Sequence, residues 1–239
     1  MEEATLKGRL ALVTGASRGI GAATAEALAA AGAHVILTAR TAAALEEVED
    51  RIHAAGGSAT IAPLDLTESD SIAKLAVAMA GRWEALDILV LNAATLGTLT
   101  PVPQIDAKEF SKLLTLNLLA PQALIAAFDP MLRRSDAGRL IAITSSVGGR
   151  PRAYWGAYGA SKAALETLAL SYAEEVANIS PIRVAIVDPG ATATVMRARA
   201  FPGEDAATLK QPVVVGQAIA QLAAAEYETG HRLELAKQS

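Results

Sequence analysis

Tyr158 and Lys162 are the residues of this sequence best suited to do chemistry. They lie four residues apart, and Ser145 lies thirteen residues before the tyrosine. Residues at positions i and i+4 share one face of a helix, so a helix here would place the Lys162 ammonium beside the Tyr158 phenol. Lowering a tyrosine pKa from about 10 to about 7 needs roughly 4 kcal/mol, which one cation about 4 Å away can supply. The spacing therefore predicts that Tyr158 is an acid–base catalyst.

A glycine-rich turn lies near the N-terminus, between the apolar run Leu10–Val13 and an alanine-rich stretch. Glycines let a backbone turn tightly against a pyrophosphate, and the N-terminus of the following helix offers free N–H groups. Alone, such a cluster is equally typical of a simple βα turn, and its spacing differs from Gly-x-Gly-x-x-Gly. Together with Tyr158 and Lys162, it predicts nicotinamide-dependent redox chemistry. The turn residues expected to contact the cofactor are Gly15, Ser17, Arg18, Gly19, Ile20 and Gly21.

The second predicted strand is followed by Ala39 and Arg40, where an NAD-binding fold would place an acid for the ribose 2′-hydroxyl. In the absence of a carboxylate, Arg40 can pair with a 2′-phosphate, and Arg18 can reach the same group. The sequence therefore favours NADP(H) over NAD(H). The alternative is that Arg40 caps a helix or faces solvent and that NAD binds without an acid.

Composition narrows the class of protein. The chain has 239 residues without a compositional break, so we expect one domain over residues 1–239. Apolar residues make up 52% and aromatics 4%, which suits helices packed on a sheet and not an aromatic surface for nucleic acid. The net charge of -4 is dispersed, so binding to nucleic acid or anionic membranes is not expected. There is no cysteine, and His34, His53 and His231 are scattered, so no disulfide or metal site is expected.

The sequence also gives an expectation about location. No uninterrupted apolar run reaches the roughly 18 residues that a membrane-spanning helix needs. The start, Met1-Glu2-Glu3, is unlike a signal peptide. We therefore expect a cytoplasmic protein.

Short apolar runs alternate with longer alanine-rich stretches, which is typical of βαβ units. The runs are apolar at both alternating positions, so helices should cover both faces of each strand. The predicted strands are Leu10–Val13, His34–Thr38, Thr60–Pro63, Ile88–Leu91, Leu140–Thr144, Arg183–Val187 and Arg232–Leu235. The predicted helices are Ile20–Ala31, Thr41–Ala55, Ser69–Met79, Ala107–Leu132, Ala157–Asn178 and Val213–Ala225. This pattern predicts an α/β protein with a single-domain, Rossmann-type, doubly wound parallel sheet and helices on both faces.

Two irregular features stand out from this pattern. Pro121 falls inside the fourth predicted helix, so we expect a local bend or a freed carbonyl there. The segment Thr194–Pro212 is the least regular part of the chain and contains Pro202-Gly203. It is therefore predicted to form a mobile substrate lid, near residues 194–212.

Taken together, these residues resemble the short-chain dehydrogenase/reductase family from Leu10 to about Gly230. Four motifs occur in the family's order: Thr14–Gly21, Asn92-Ala93-Ala94, Ser145 with Tyr158-x3-Lys162, and Asp188-Pro189-Gly190 with Thr194. The resemblance implies a Rossmann-type fold and an NAD(P)-dependent enzyme that acts on CH–OH or C=O groups.

The resemblance also implies roles for four catalytic residues. Ser145 would hydrogen-bond the substrate oxygen, with the neighbouring Ser146 as its rival. Tyr158 would donate a proton to a carbonyl or remove one from an alcohol, and Lys162 would lower the tyrosine pKa and bind the nicotinamide ribose. Asn117 would help to hold a water that links the lysine to solvent. Its alternative is a mid-helix polar residue that bonds locally.

Residues at the adenosine end are assigned in the same way. Asp65, followed by Leu66, resembles the family's adenine-contacting aspartate, although a helix cap before Thr67–Ser71 is an equally good interpretation. The backbone of Asn92 and Ala93 would approach the adenosine ribose.

At the nicotinamide end, Pro189, Gly190 and Thr194 would close over the ring and hold its carboxamide. The chain also departs from the family. Ala94 replaces a glycine, and the usual glycine pair after the last strand is missing, which leaves that strand and the tetramer contacts open.

The substrate cleft is expected between Ser145 and Tyr158. Its border should include Arg152, Tyr154 and Trp155, with apolar walls from Leu96, Met196 and Phe201. Four arginines could attract an acidic or thioester-linked substrate or could be solvated charges: Arg150, Arg152, Arg197 and Arg199.

Three interpretations of function follow. The leading one is a cytosolic NADP(H)-dependent reductase of a small-molecule ketone or aldehyde, a homodimer or homotetramer assembled through the helices that carry Asn117 and Tyr158. The second is an NAD-dependent alcohol dehydrogenase that works oxidatively. The third is a non-catalytic nucleotide sensor or scaffold, against which the intact Ser145, Tyr158 and Lys162 argue.

Overall fold

Seven parallel strands form one sheet in a computed structural model that describes residues 5–68 and 70–235. Their order across the sheet is β3-β2-β1-β4-β5-β6-β7. The strands are β1 (Leu10–Thr14), β2 (His34–Thr38), β3 (Ser58–Ile61), β4 (Ile88–Leu91), β5 (Arg139–Ile143), β6 (Arg183–Asp188) and β7 (His231–Glu234). This is the doubly wound arrangement that the alternating pattern predicted. The order reverses between β1 and β4, so a ligand crevice is expected at the carboxyl ends of these strands.

Helices connect the strands and cover both faces of the sheet. They are α1 (Gly19–Ala30), α2 (Ala42–Ala54), α3 (Ser71–Ala80), α4 (Ala107–Leu114), α5 (Ala120–Leu132), α6 (Ser146–Gly149), α7 (Gly156–Val176), α8 (Val195–Ala200) and α9 (Pro212–Ala224). The predicted start of the third helix, Ser69, lies outside the described residues.

Alternation along β1 shows how the two faces are separated. Ala11 and Val13 belong to the core beneath α1, α2 and α9, whereas Leu10 and Leu12 belong to the core beneath α3, α5 and α7. Successive residues of a strand point to opposite faces, so a strand buried on both faces is apolar throughout. β1 therefore lies in the interior of the sheet, and its carboxyl end lies near the middle of the row of carboxyl strand ends, which we call the sheet edge.

The fourth predicted helix is continuous but changes its winding. A π-helical turn, Thr115–Leu119, joins α4 to α5 just before Pro121. Proline has no N–H to donate to the preceding turn, and the Ala120 N–H here donates to the Thr115 carbonyl in the π-helical pattern. The predicted local irregularity is therefore present as a π turn, and it carries Asn117.

The last predicted strand is also present. β7 pairs in parallel with β6, from Ala185 opposite His231 to Asp188 opposite Glu234. The C-terminal departure from the family pattern does not prevent this pairing. The residues beyond Leu235 lie outside the described part of the chain.

One expectation about apolar stretches needs correction. The helical stretch Ala107–Arg134 is long and apolar enough, by length and composition, to cross a membrane. Polar residues interrupt its apolar run, so the search for an uninterrupted run did not predict it. Leu124 and Phe128 of this stretch pack in the protein core, and the core helix of a soluble protein passes the same test of length and composition.

Candidate active site

The glycine-rich turn lies at the carboxyl end of β1 and leads directly into α1. Gly15 and Gly19 adopt left-handed backbone conformations, with φ of +66° and +58°. A Cβ on Gly21 would lie 2.2 Å from the Gly15 carbonyl oxygen, so only glycine allows this close approach. The turn therefore brings backbone N–H groups of the α1 N-terminus to the sheet edge.

Other residues of the turn are divided between the core and the surface. Ile20 packs against the α1-side core, Ser17 is half-buried, and Arg18 is exposed and precedes α1 with an extended backbone. Arg40, beyond β2, is also exposed. Within residues 5–68 and 70–235 neither arginine forms an ion pair, which leaves two free cations at this end of the crevice.

Thr14 and Asn92 fasten the turn to β4. The Thr14 hydroxyl donates to the Val90 carbonyl at 3.0 Å and accepts the backbone N–H groups of Asn92 and Ala93 at 2.9 and 3.1 Å. The Asn92 amide donates to the Thr14 and Gly15 carbonyls at 2.8 and 3.3 Å. The sequence reasoning gave Thr14 no role, although its position as the last residue of β1, before a glycine, was the available signal.

Asp65 follows β3 and bonds to the next turn. Its Oδ1 accepts the Thr67 N–H at 2.9 Å and the Thr67 hydroxyl at 2.7 Å. These hydrogen bonds, with a smaller contribution from Arg40, lower the pKa of the Asp65 carboxyl despite partial burial. The side chain closes an Asx turn and does not cap α3, whose preceding residue is Asp70. Leu66 buries its side chain in the core.

Ser145 is placed beside α7 by two glycines. It follows β5 with an extended backbone and lies immediately before the short helix α6. A Cβ on Gly148 would lie 3.0 Å from the Ala163 nitrogen, and one on Gly159 would lie 2.9 Å from the Val147 carbonyl oxygen. These contacts hold the serine turn against the helix that carries Tyr158. Ser145 is half-buried and Ser146 is exposed, and no described residue hydrogen-bonds the Ser145 hydroxyl.

Tyr158 and Lys162 share one buried face of α7. Tyr158 is 7% exposed and Lys162 is 2% exposed. The Lys162 Nζ lies 5.8 Å from the centroid of the Tyr158 ring and donates to the Ile143 carbonyl at 2.8 Å. The predicted proximity is present, but the ammonium bonds to the end of β5 and not to the phenol.

The electrostatics differ from the sequence prediction. Burial raises the pKa of the Tyr158 phenol above its usual value, and the Asp188 carboxylate adds to the rise. Burial also lowers the pKa of Lys162 to about 8. The predicted lowering of the tyrosine pKa is therefore not found, because desolvation of the phenolate and the nearby Asp188 charge both disfavour ionisation.

Asn117 is fully buried in the π turn. Its Oδ1 accepts the Thr95 N–H at 2.9 Å, and its Nδ2 donates to the Thr95 carbonyl at 2.9 Å and to the Ser161 hydroxyl at 3.1 Å. Ser161 in turn donates to the Tyr158 carbonyl at 2.7 Å. Asn117 thus bonds across elements and not locally, joining the segment after β4 to α7.

The segment after β6 forms a third wall. The Asp188 carboxylate accepts the Gly190 N–H at 2.9 Å, and Gly190 is left-handed with a φ of +64°. Thr194 caps the N-terminus of α8, and its hydroxyl accepts the Arg197 N–H at 3.1 Å. A Cβ on Gly19 would lie 3.5 Å from the Thr194 methyl group. The base of the predicted lid therefore lies over the glycine-rich turn.

An aromatic cluster joins the lid to α7. Trp155 meets Tyr158 edge-on at 5.9 Å between ring centroids and packs against Phe201 at 5.7 Å. The Arg197 guanidinium lies 3.7 Å from the Phe201 centroid, and that of Arg152 lies 5.0 Å away. Neighbouring Tyr154 is 60% exposed with a left-handed φ of 72°, an uncommon conformation for a bulky residue.

The expected cleft residues are only partly brought together. The cluster brings together Arg152, Trp155 and Phe201, whereas Leu96 is buried at 5% exposure. Arg197 is bound to Glu204, so its charge is already balanced. Arg150 and Arg199 are exposed. No group of three His, Asp or Glu side chains that could hold a metal occurs within the described ranges.

The sequence profile for short chain dehydrogenases matches residues 9–205. The chain is 39% identical over 210 residues to the uncharacterized oxidoreductase YciK of Escherichia coli (strain K12), covering 87% of this chain and 82% of that one. A short chain dehydrogenase structure from Pseudomonas syringae has a TM-score of 0.92 at 38% identity, covering 96% of this chain and 95% of that one. Another, from Shigella flexneri 2a str. 301 and complexed with NADP, has a TM-score of 0.92 at 35% identity, covering 98% and 99%.

The fold and the site define an oxidoreductase of the NAD(P)-dependent kind that acts on CH–OH or C=O groups. The chain belongs to the short-chain dehydrogenase/reductase family, as its motifs predicted.

Proposed function

We propose that the protein is an NADPH-dependent reductase of a ketone or aldehyde. One observation carries the proposal: a buried tyrosine and lysine and a free serine hydroxyl lie at the same sheet edge as a glycine turn with two unpaired arginines. The alternatives are an NAD-dependent alcohol dehydrogenase and a non-catalytic nucleotide-binding protein. Nothing in the site favours either of them over the reductase.

The described residues fit a dinucleotide with a 2′-phosphate. Gly15, Gly19 and Gly21 would approach the pyrophosphate, and Arg18 and Arg40 would pair with the 2′-phosphate. When bound, NADPH supplies the hydride. The Shigella flexneri relative is a complex with NADP, which supports this choice of cofactor. The other contacts proposed are Asp65 and Leu66 at the adenine, Asn92 and Ala93 at its ribose, Tyr158 and Lys162 at the nicotinamide ribose, and Pro189, Gly190 and Thr194 at the nicotinamide.

Only some backbone groups of Asn92 and Ala93 are available to the adenosine ribose. The N–H groups of Asn92 and Ala93 already donate to Thr14, so they are not available to a ribose hydroxyl. Carbonyl oxygens of this segment, which can accept hydrogen bonds from ribose hydroxyls, are the groups that we assign to this contact.

Proton transfer is assigned to Tyr158. Its raised pKa keeps the phenol protonated at neutral pH, which suits a proton donor to a carbonyl oxygen. The Ser145 hydroxyl would donate a hydrogen bond to the same oxygen. The buried Lys162 ammonium would stabilise the phenolate that remains after the transfer. Asn117 would hold α7 and the segment after β4 in register, and we retain the proposal that it helps to hold a water beside Lys162.

The pH dependence of reduction should report the Lys162 charge. Burial lowers its pKa to about 8, so the ammonium is present below that pH and is lost as the pH rises through it. We expect kcat to be constant near neutrality and to fall above about pH 8, approaching tenfold per pH unit. The measurement is a steady-state pH profile at saturating cofactor and substrate. Lys162→Arg, which keeps its charge, should move the fall to higher pH, and an unchanged fall would contradict the assignment.

Arg40 provides a test of cofactor choice. Removing a charged hydrogen-bonding partner of the 2′-phosphate should cost roughly 1.5–3 kcal/mol, about 10- to 100-fold in NADPH affinity. Arg40→Ala should therefore weaken NADPH binding by about that factor and NADH binding hardly at all, as measured by nicotinamide fluorescence. Arg82→Ala is a matched control, since Arg82 is exposed and stacks on Trp83, beside His34 at the start of β2. Equal losses for both cofactors would reject the role.

The proposal also covers the domain organisation, the lid and the assembly of the protein. We propose a single domain over residues 1–239, with residues 194–212 as a substrate lid that includes α8. We also propose a cytoplasmic homodimer or homotetramer that binds a small-molecule carbonyl or alcohol, assembled through the helices that carry Asn117 and Tyr158. Leu119, 57% exposed at the end of the π turn, supports an apolar contact on that surface.

A further inference from the structure

Lys210 is a buried lysine outside the catalytic set. It lies two residues before α9 and is only 4% exposed. Its Nζ donates to the Pro189 carbonyl at 3.0 Å and to the Leu235 carbonyl at 2.8 Å. These two acceptors lie on different chain segments, one after β6 and one after β7. One ammonium therefore joins the predicted nicotinamide loop to the end of the sheet.

The same residue closes the base of the lid. Lys210 forms a parallel bridge with Thr192, and its carbonyl accepts the Ala193 N–H at 2.8 Å. The Thr192 hydroxyl donates to the Pro189 carbonyl at 3.2 Å, so that carbonyl accepts hydrogen bonds from both sides of the base. The segment of residues 193–209 therefore begins and ends beside the Thr192–Lys210 bridge, and Lys210 lies at its C-terminal end.

Packing alone does not explain why the buried residue at position 210 is charged, because burial of an ammonium carries a desolvation penalty. Burial lowers its pKa, with Asp188 acting in the opposite direction, and within the described residues no carboxylate forms an ion pair with it. An apolar side chain would fill the same space without this desolvation penalty. Gly190 is tightly confined here, since a Cβ on it would lie 2.6 Å from the Leu235 carbonyl oxygen and 3.5 Å from Nζ. What the ammonium adds is directed donation to two carbonyls that lie just beyond the last pairs of β6 and β7.

We propose that Lys210 is a positioning residue that holds Pro189-Gly190 in place for the nicotinamide end of the cofactor and fixes the base of the lid. The cofactor part of this assignment rests on the proposed function. It predicts that loss of the ammonium weakens contacts at the nicotinamide end and leaves those at the adenosine end intact.

Two ligands distinguish the nicotinamide end of the cofactor site from its adenosine end. NADPH reaches both, whereas adenosine 2′,5′-bisphosphate lacks the nicotinamide. Lys210→Met should weaken NADPH binding about tenfold or more, as expected for lost charged hydrogen bonds, and should leave adenosine 2′,5′-bisphosphate binding within twofold of wild type. Lys210→Arg should recover part of the loss. Lys7→Met, at an exposed lysine, is the control for loss of one charge and should change neither affinity.

The lid is tested without any ligand by limited trypsin digestion at the exposed Arg199. Cleavage should be severalfold faster in Lys210→Met than in wild type or Lys7→Met, at a temperature where circular dichroism shows all three folded. Unchanged cleavage with unchanged NADPH affinity would overturn the proposal, and so would an equal loss of both ligands, which would indicate a general structural role. If wild type bound no NADPH, the proposed function and the nicotinamide part would fail, whereas faster cleavage would still support the role at the lid base.

Discussion

Replacement of Tyr158 by phenylalanine should lower kcat for carbonyl reduction by about a thousandfold, within the range of roughly 10²–10⁴ typical of general acid–base catalysis. The variant loses the only atom that could donate the proton from this position. The phenylalanine ring would keep its edge contact with Trp155 and lose only one neutral hydrogen bond to the nicotinamide ribose, worth about 0.5–1.5 kcal/mol, so NADPH affinity should fall by no more than about tenfold. Steady-state kinetics and cofactor fluorescence titration measure the two quantities separately.

Tyr172→Phe is the matched control on the same helix. Tyr172 is also buried, but its hydroxyl donates to Asp129 at 2.7 Å, away from Ser145 and Lys162. Loss of that hydrogen bond should lower the free energy of unfolding by about 1.5–3 kcal/mol and leave kcat nearly unchanged, as measured by denaturant unfolding and kinetics. Turnover that survives in Tyr158→Phe would reject the proton-transfer assignment.

The second large effect is expected at the glycine turn. A methyl group at position 21 would lie 2.2 Å from the Gly15 carbonyl oxygen, so Gly21→Ala must displace the backbone of the turn. Displacements of about 1 Å can cost about 100-fold in rate, and we expect at least that loss in kcat/KM for NADPH. Initial rates at varied NADPH concentration give this value.

Gly149→Ala controls for glycine replacement as such. A Cβ at position 149 would meet no atom within 4 Å, although the residue lies in the short helix after Ser145. It should therefore leave kcat/KM and the thermal midpoint almost unchanged. Wild-type NADPH kinetics in Gly21→Ala would show that the turn does not bind the pyrophosphate.

The sheet could be predicted because its signal is local. Each strand is apolar at consecutive positions and each connecting stretch is rich in alanine, so elements and their parallel arrangement follow from the sequence. Boundaries were less accurate. The third strand was predicted at Thr60–Pro63 but spans Ser58–Ile61. The earlier Ser58 carries little strand signal, whereas the N–H groups of Ala62 and Leu64 still donate to the Leu37 and Ala39 carbonyls beyond the end of the strand.

The site could be predicted in part for a similar reason. The i, i+4 spacing placed Lys162 beside Tyr158, but it did not determine where the lysine chain ends. A buried ammonium requires an acceptor, and the carbonyl of Ile143, nineteen residues away, supplies one. That contact depends on how α7 packs on β5, which sequence spacing does not encode.

Long-range polar contacts were the least predictable feature. Lys210 lies in a polar stretch that resembles a surface segment, and its partner carbonyls are 21 and 25 residues away. Every residue has a backbone carbonyl, so residue identity does not show which carbonyls will accept a buried ammonium. Asn117 was recognised through the family resemblance, yet its bonds to Thr95 and Ser161 emerge only once the π turn is packed against α7.

A paired titration with NADPH and NADH, followed by a panel of ketones and aldehydes added to the tighter complex, tests the central claim most directly. The site predicts tighter binding of NADPH and its oxidation by at least one carbonyl compound, with that oxidation abolished in Tyr158→Phe. Tighter binding of NADH, with turnover only when an alcohol is supplied, would contradict the reductase assignment. Binding of neither cofactor would contradict the nucleotide site itself.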